Sequence, residues 1–249
     1  MTDAPAGRFE IGRVLSRTMG VLSRNFPVMA LLALVLSGLP NLVFVLIAGG
    51  ASTSTVATAA ALGAMGPAVM IGGLVSLITG TLLQAALINV TVGDLSGRPT
   101  SLGDGLRTAV KHILPLIGIA ILSALAMIVG LILLIVPGII VALALCVAAP
   151  ARVIEGTSVI ASLGRSAALT RSHRGAILLL FLVVGVVAIV LQLVSTPLIA
   201  IPAVGRVIVS PLLQSVFALI GSAMAASIYF ELRTIKEGVG VEALAAAFD

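Results

Sequence analysis

Residues 25–93 contain no Asp, Glu, Lys or Arg. A water-soluble globule cannot carry 69 consecutive uncharged residues and still clothe its surface, whereas hydrocarbon requires such runs, because a bilayer core of about 30 Å takes roughly 20 apolar residues per helix. Three further uncharged runs follow, of 39 residues (113–151), 31 (175–205) and 24 (207–230). Their lengths admit two, two, one and one spans. Composition agrees: 60% of residues are hydrophobic and 9% charged, against about 25% charged in an average soluble domain. These numbers exclude a soluble enzyme. They predict an all-α polytopic membrane helix bundle with six transmembrane helices near 26–48, 68–92, 113–135, 139–151, 176–198 and 207–230. The chain reads as one integral membrane domain: an amphipathic segment at 1–25, the bundle at 26–230 and a tail at 231–249.

Two boundaries need separate argument. The apolar stretch 26–48 is longer than the 7–15 residues of a signal-peptide core, so it is expected to stay as the first span. The run 113–151 would make about 58 Å of straight helix, nearly twice the hydrocarbon thickness, so Pro137-Gly138 is expected to turn a hairpin inside it.

Orientation follows from the cations, since cytoplasmic loops retain Lys and Arg. With the N-terminus inside, the cytoplasmic side receives Arg8, Arg13, Arg17, Arg24, Arg98, Arg107, Lys111, Arg152, Arg165, Arg171, Arg174, Arg233 and Lys236, and the opposite side only Arg206. This places a multi-pass protein in a bacterial inner membrane with both termini in the cytoplasm. The net charge is +5, but the cations flank apolar runs and the chain has one Tyr and no Trp, so no nucleic-acid partner is expected. The expected partner is the bilayer, with anionic phospholipid at the cytoplasmic face contacting Arg13, Arg17, Arg24, Arg107, Lys111, Arg165, Arg171 and Arg174.

The cytoplasmic segments resemble one another. Ile11, Val14, Leu15, Thr18 and Leu22 share a helix face opposite Arg13, Arg17 and Arg24; Leu102, Leu106, Ala109, Val110 and Ile113 share a face opposite Asp104, Arg107 and Lys111. Such patterns define interfacial helices. Ser101 and Asp104 have capping-box spacing. A weaker version has Val159, Ile160, Leu163 and Ala167 opposite Arg165, and a shift of 61 lays Leu102-Gly103 on Leu163-Gly164 and His112 on His173. The pattern suggests a three-fold repeat of surface helix plus two-span hairpin.

Little here promises catalysis. Neither histidine has metal-ligand spacing, no carboxylate pair lies within a span, and the GxSxG, HExxH and P-loop signatures are absent; no cofactor is expected. Cys146 lies in an apolar run and reads as a packing residue. The polar residues expected inside the membrane include Gln84, Asn89, Gln192 and Gln214, together with Ser and Thr, and the candidate intramembrane polar contacts are Gln84, Gln192 and Gln214. Gln192 and Gln214 fall at similar depth on consecutive spans, so an amide–amide hydrogen bond is expected to join them, as packing glue rather than a solute path. Gly221 with Ala225, Ser222 with Ala226 and Ala142 with Cys146 give small-residue faces that suit either the bundle core or a homo-oligomer or membrane-protein interface. Tyr229-Phe230 followed by Arg233 and Lys236 reads as an interfacial anchor, and 241–248 as a short surface helix.

Tyr229-Phe230-Glu231-Leu232-Arg233, Lys236-Glu237-Gly238, Pro137-Gly138, and Glu155-Gly156 followed by Leu163, Arg165-Ser166 and Leu169-Thr170 resemble bacterial six-span proteins grouped with the membrane domain of glycerophosphoryl diester phosphodiesterases. The resemblance spans roughly 11–244 and implies an all-helical membrane domain without the catalytic barrel, so no phosphodiesterase activity is carried over. The leading expectation is a non-enzymatic membrane scaffold or lipid-associated domain. A small-solute transporter or channel is the alternative, requiring a polar cavity at mid-depth. A lipid-modifying enzyme is the third, with Glu155 and His173 as its only candidate groups.

Overall fold

A computed structural model describes residues 9–40, 43, 67–98, 100–199, 205 and 209–238. Among these the secondary structure is helical throughout: α1 (Ile11–Ala33), continuing as a π-helical turn (Leu34–Gly38), then α2 (Pro67–Leu95), α3 (Leu102–Leu133), α4 (Ile135–Leu145), α5 (Ala148–Glu155), α6 (Val159–Thr170), α7 (Arg174–Ile199) and α8 (Ser210–Glu237). Six helical segments are long and apolar enough to cross a membrane: Ile11–Gly38, Ile71–Leu95, Leu102–Leu133, Ile135–Glu155, Arg174–Ile199 and Pro211–Glu237. The chain is thus an all-α multi-pass membrane bundle. Arg8, Arg206 and the expected helix at 241–248 lie outside the described residues.

The amphipathic segments are helical, but two of the three do not end where the spans begin. α1 runs unbroken through 25 and α3 through 113, because nothing at either junction stops the i→i−4 ladder. Pro27 and Pro115 lie inside these helices, and membrane helices tolerate them when other groups satisfy the freed carbonyls. Only the third unit separates, at the turn 171–173 between α6 and α7. The Ser101–Asp104 capping box forms at the start of α3.

The hairpin between α3 and α4 turns at Leu134, the one residue with extended backbone, and not at Pro137-Gly138. Pro137 lies in the first turn of α4, where a missing N–H leaves one donor fewer to satisfy in hydrocarbon. Gly138 lets the two helices touch: a β-carbon on Gly130 would sit 2.9 Å from the Gly138 Cα and 3.1 Å from its nitrogen.

The fourth crossing is α4 and α5, broken at Cys146-Val147. Ser166 of α6 repairs the break, donating to the Ala144 carbonyl at 2.7 Å while accepting from the Val147 N–H at 3.3 Å. α1, α2 and α8 pack together as a central trio, α3 lies on α2, α4 on α3, and α7 touches α4 and α1. α5 and α6 lie across the charged end, where α6 meets α3, α4, α5 and α8. The tightest packing is also there: Val14, Val21, Leu87, Ile88, Ile177, Ile228, Tyr229 and Leu232 are fully buried. Toward the other end, Leu131–Val136 and most of 186–194 are exposed apolar side chains, as suits residues whose solvent is lipid.

Candidate functional site

Two arrangements hold the polar chemistry of the described residues. The first fastens the charged end. Glu231, whose side chain has no exposed surface, receives Arg17 Nη1 at 2.8 Å and faces Arg13 Nη1 at 3.2 Å, binding α1 to α8. Asp94 accepts from Arg24 Nη2 at 2.5 Å, Arg24 Nε at 3.1 Å and Asn25 Nδ2 at 2.7 Å, binding α1 to α2. Glu155 accepts from Tyr229 Oη at 2.6 Å and Arg165 Nε at 2.9 Å, while Arg165 also donates to Glu237, which Arg233 Nε holds at 2.8 Å. This joins α5, α6 and α8. Burial opposes the Arg165 charge, but hydrogen bonds to Glu237 and Glu155 outweigh it and hold the guanidinium above its ordinary range.

The eight candidate lipid-contacting cations therefore divide. Arg13, Arg17, Arg24 and Arg165 are committed to carboxylates of the same chain. Arg107, Lys111, Arg171 and Arg174 make no hydrogen bond or ion pair with a described residue, and Arg174 Nε is buried without a partner. His173 lies in the α6–α7 turn, its ring 6.1 Å from that of Phe9. Burial, and then Lys236, hold its pKa below the usual imidazole value. Glu155 is held by Arg165 and Tyr229, and no hydrogen bond links it to His173. Among the described residues no group of His, Cys, Asp and Glu is arranged to hold a metal. Cys146 is a half-buried free thiol.

The second arrangement is a cavity of about 330 Å³ between α2, α8 and the π turn of α1, lined by Ser37, Ser76, Thr79, Gly80, Leu83, Gln84, Gln214, Ala218, Gly221 and Ser222. Helix periodicity builds it. Ser76, Thr79 and Leu83 stand three to four residues apart on one face of α2, with Gln84 beside Leu83, and Gln214, Ala218 and Ser222 stand four apart on α8, with Gly221 beside Ser222. Backbone geometry leaves the space open, since a β-carbon on Gly80 or Gly221 would meet nothing within 4 Å. Neither the Gln84 nor the Gln214 amide is hydrogen-bonded to a described residue. Gln84 is partly buried and Gln214 exposed, and an amide that meets hydrocarbon without a hydrogen-bond partner costs several kcal/mol. A roomy polar site therefore calls for water or a ligand.

Gln84, partly buried, thus faces the same space as Gln214, which is exposed at its rim, whereas Gln192 is exposed on α7 away from it. The expected Gln192–Gln214 bond is absent because α7 packs on α4 and α1, while α8 packs on α1 and α2. Similar depth on consecutive spans says nothing about which helices become neighbours. Sequence reading also missed Glu231 and Asp94 as anchors and Ser37, Ser76 and Thr79 as lining residues. A carboxylate directly after the last uncharged run, and polar residues at helical spacing within the longest, were the available signals.

A second hollow of about 310 Å³ runs between α1 and α8, lined by Phe26, Ala30, Ala33, Leu34, Gly38, Leu39, Pro211, Leu212, Ser215, Val216 and Leu219. The fold and these sites define a class, a six-span helical membrane protein with a polar cavity set among apolar helices. No family model, curated protein or solved structure matches the chain.

Proposed function

We propose that this chain is a non-enzymatic inner-membrane protein that admits a small uncharged polar solute, a transporter or channel rather than a scaffold. The observation that carries this reading is the cavity between α2 and α8, where the Gln84 and Gln214 amides face open space and none of the described lining residues is ionisable. A site of that composition favours hydroxyl- and amide-bearing neutral solutes, because an ion would enter it without a counter-charge. The non-enzymatic part of the reading is supported by the acids: Asp94, Glu155, Glu231 and Glu237 are each held by guanidinium groups and none faces the cavity. Cytoplasmic termini are supported by the partition of cations.

The test is uptake of methyl glucoside, an uncharged hydroxyl-rich probe with a small leak through lipid, by proteoliposomes of the full chain. Uptake above that of empty liposomes is expected, with loss in Gln84→Leu/Gln214→Leu and in Gly221→Leu, which places a side chain in the opening. Uptake no faster than the empty-vesicle leak refutes the reading.

A second role rests on a different observation. Arg107, Lys111, Arg171 and Arg174 make no salt bridge with a described residue, Arg107 having only a longer-range attraction to Asp104, and sit at the end where anionic headgroups would pair with them. Replacing these four by Gln is expected to reduce co-purified phosphatidylglycerol; unchanged lipid content refutes this role.

A further inference from the structure

The polar cavity and the apolar hollow share α8 and the π turn of α1. On α8, Gln214 and Ala218 line the cavity while their neighbours Ser215 and Leu219 line the hollow. On α1 the π turn Leu34–Gly38 serves both: Ser37 faces the cavity, Leu34 and Gly38 the hollow. A π turn carries an extra residue per turn and interrupts the face pattern of the helix around it, and such turns recur at functional sites. Here that turn brings a hydroxyl to one side and apolar groups to the other within five residues.

The antiparallel register keeps the two spaces at one depth. Arg17 opposite Glu231 fixes how α1 and α8 align, so the α1 residues from Phe26 to Leu39 run beside the α8 residues from Leu219 back to Pro211. The hollow is open to lipid, since Phe26, Leu34, Leu39 and Leu212 are each about half exposed. The cavity side of α8, together with α2, offers the Gln214 and Gln84 amides, and the other side of α8 faces α1 across apolar groups, apart from Ser215, whose hydroxyl is donated to the Pro211 carbonyl at 2.9 Å.

We infer that the solute of this site is an uncharged amphiphile, with its hydroxyl- or amide-bearing head in the cavity between α2 and α8 and a single alkyl chain in the hollow between α1 and α8. The inference rests on the solute reading above and narrows it. A purely polar solute has no use for the hollow, and an ordinary phospholipid brings a phosphate for which the described lining residues of the cavity offer no cation. Entry is lateral, from the bilayer, past Leu34 and Leu212.

The full chain in nanodiscs tests it with a dodecyl glucoside carrying a diazirine in its chain, beside a diazirine alkane of the same length. Photolabelling by the glucoside is expected within 26–39 and 211–219, several-fold above the alkane. It should be lost in Ala30→Phe, which fills the hollow, and in Gln84→Leu/Gln214→Leu, which strips the head site. Methyl glucoside uptake should survive Ala30→Phe and so report that this variant is folded. Equal labelling by glucoside and alkane, or labelling indifferent to both variants, overturns the amphiphile while leaving methyl glucoside uptake intact. Loss of that uptake in the unaltered chain would instead bring down the cavity reading itself.

Discussion

Glu231 shows how a single side chain can set a membrane fold. It has no exposed surface, yet its partners Arg13 and Arg17 are 40% and 27% exposed. Glu231→Ala should therefore cost about 2–3 kcal/mol in detergent unfolding, less than the 3–5 of a fully buried pair because the freed guanidinium groups rehydrate. Glu10, 59% exposed beside Arg13, should tolerate Gln without measurable change. Gly130 is constrained by backbone rather than charge. A β-carbon there meets the main chain of Gly138, which cannot rotate aside, so Gly130→Ala should destabilise by about 1–3 kcal/mol. Gly185→Ala, with open space around its β-carbon, should be neutral or stabilising in the same assay. His173 gives a pH signature. Its folded pKa lies below the usual value near 6.5, so the unfolded chain binds more protons in that window. Stability should rise with pH there and fall on acidification, levelling off below the folded pKa. His173→Gln should flatten the pH dependence of the thermal midpoint; an unchanged curve would assign that dependence to other groups.

At the scale of elements, the amphipathic stretches at 11–22 and 102–113 were legible because period 3.6 alone fixes a helix face. The Ser101–Asp104 cap was equally legible, since the bond it makes is local. The fate of those helices was not, because whether an amphipathic segment lies on the membrane or continues into it depends on what its polar face meets. Arg17 and Arg24 meet Glu231 and Asp94, 214 and 70 residues away, and α1 runs straight on. The break between α4 and α5 makes the same point. Its orphan carbonyl and amide are both served by Ser166, a residue with no sequence signature. Ser166→Ala should leave the Val147 N–H unpaired and the Ala144 carbonyl with only the longer bond from Thr170 at 3.4 Å, and cost about 1–3 kcal/mol, whereas Ser23→Ala, an exposed bond to its own helix, should be silent in thermal unfolding.

For the whole molecule, the charged end is fastened by carboxylate–guanidinium bonds and a continuous core, and the far end presents apolar side chains outward. Which side of the membrane that charged end faces is proposed from the partition of cations alone. In a Cys146→Ser background, Ser23→Cys should be shielded from membrane-impermeant maleimide in intact cells and labelled in inside-out vesicles; the reverse would invert the topology. The sequence by itself determined the solvent of each segment, the number of crossings and the end on which charge collects, because hydrophobic run length and charge position are one-dimensional quantities that the bilayer reads directly. Which helices become neighbours is settled by the packed bundle, and with it that Gln84 rather than Gln192 shares a cavity with Gln214 and that four of the eight candidate lipid-binding cations are spent within the chain. Lipid is as apolar as the helices it surrounds, so pairing among spans is settled by side-chain fit and buried polar bonds, and neither is written in any single segment.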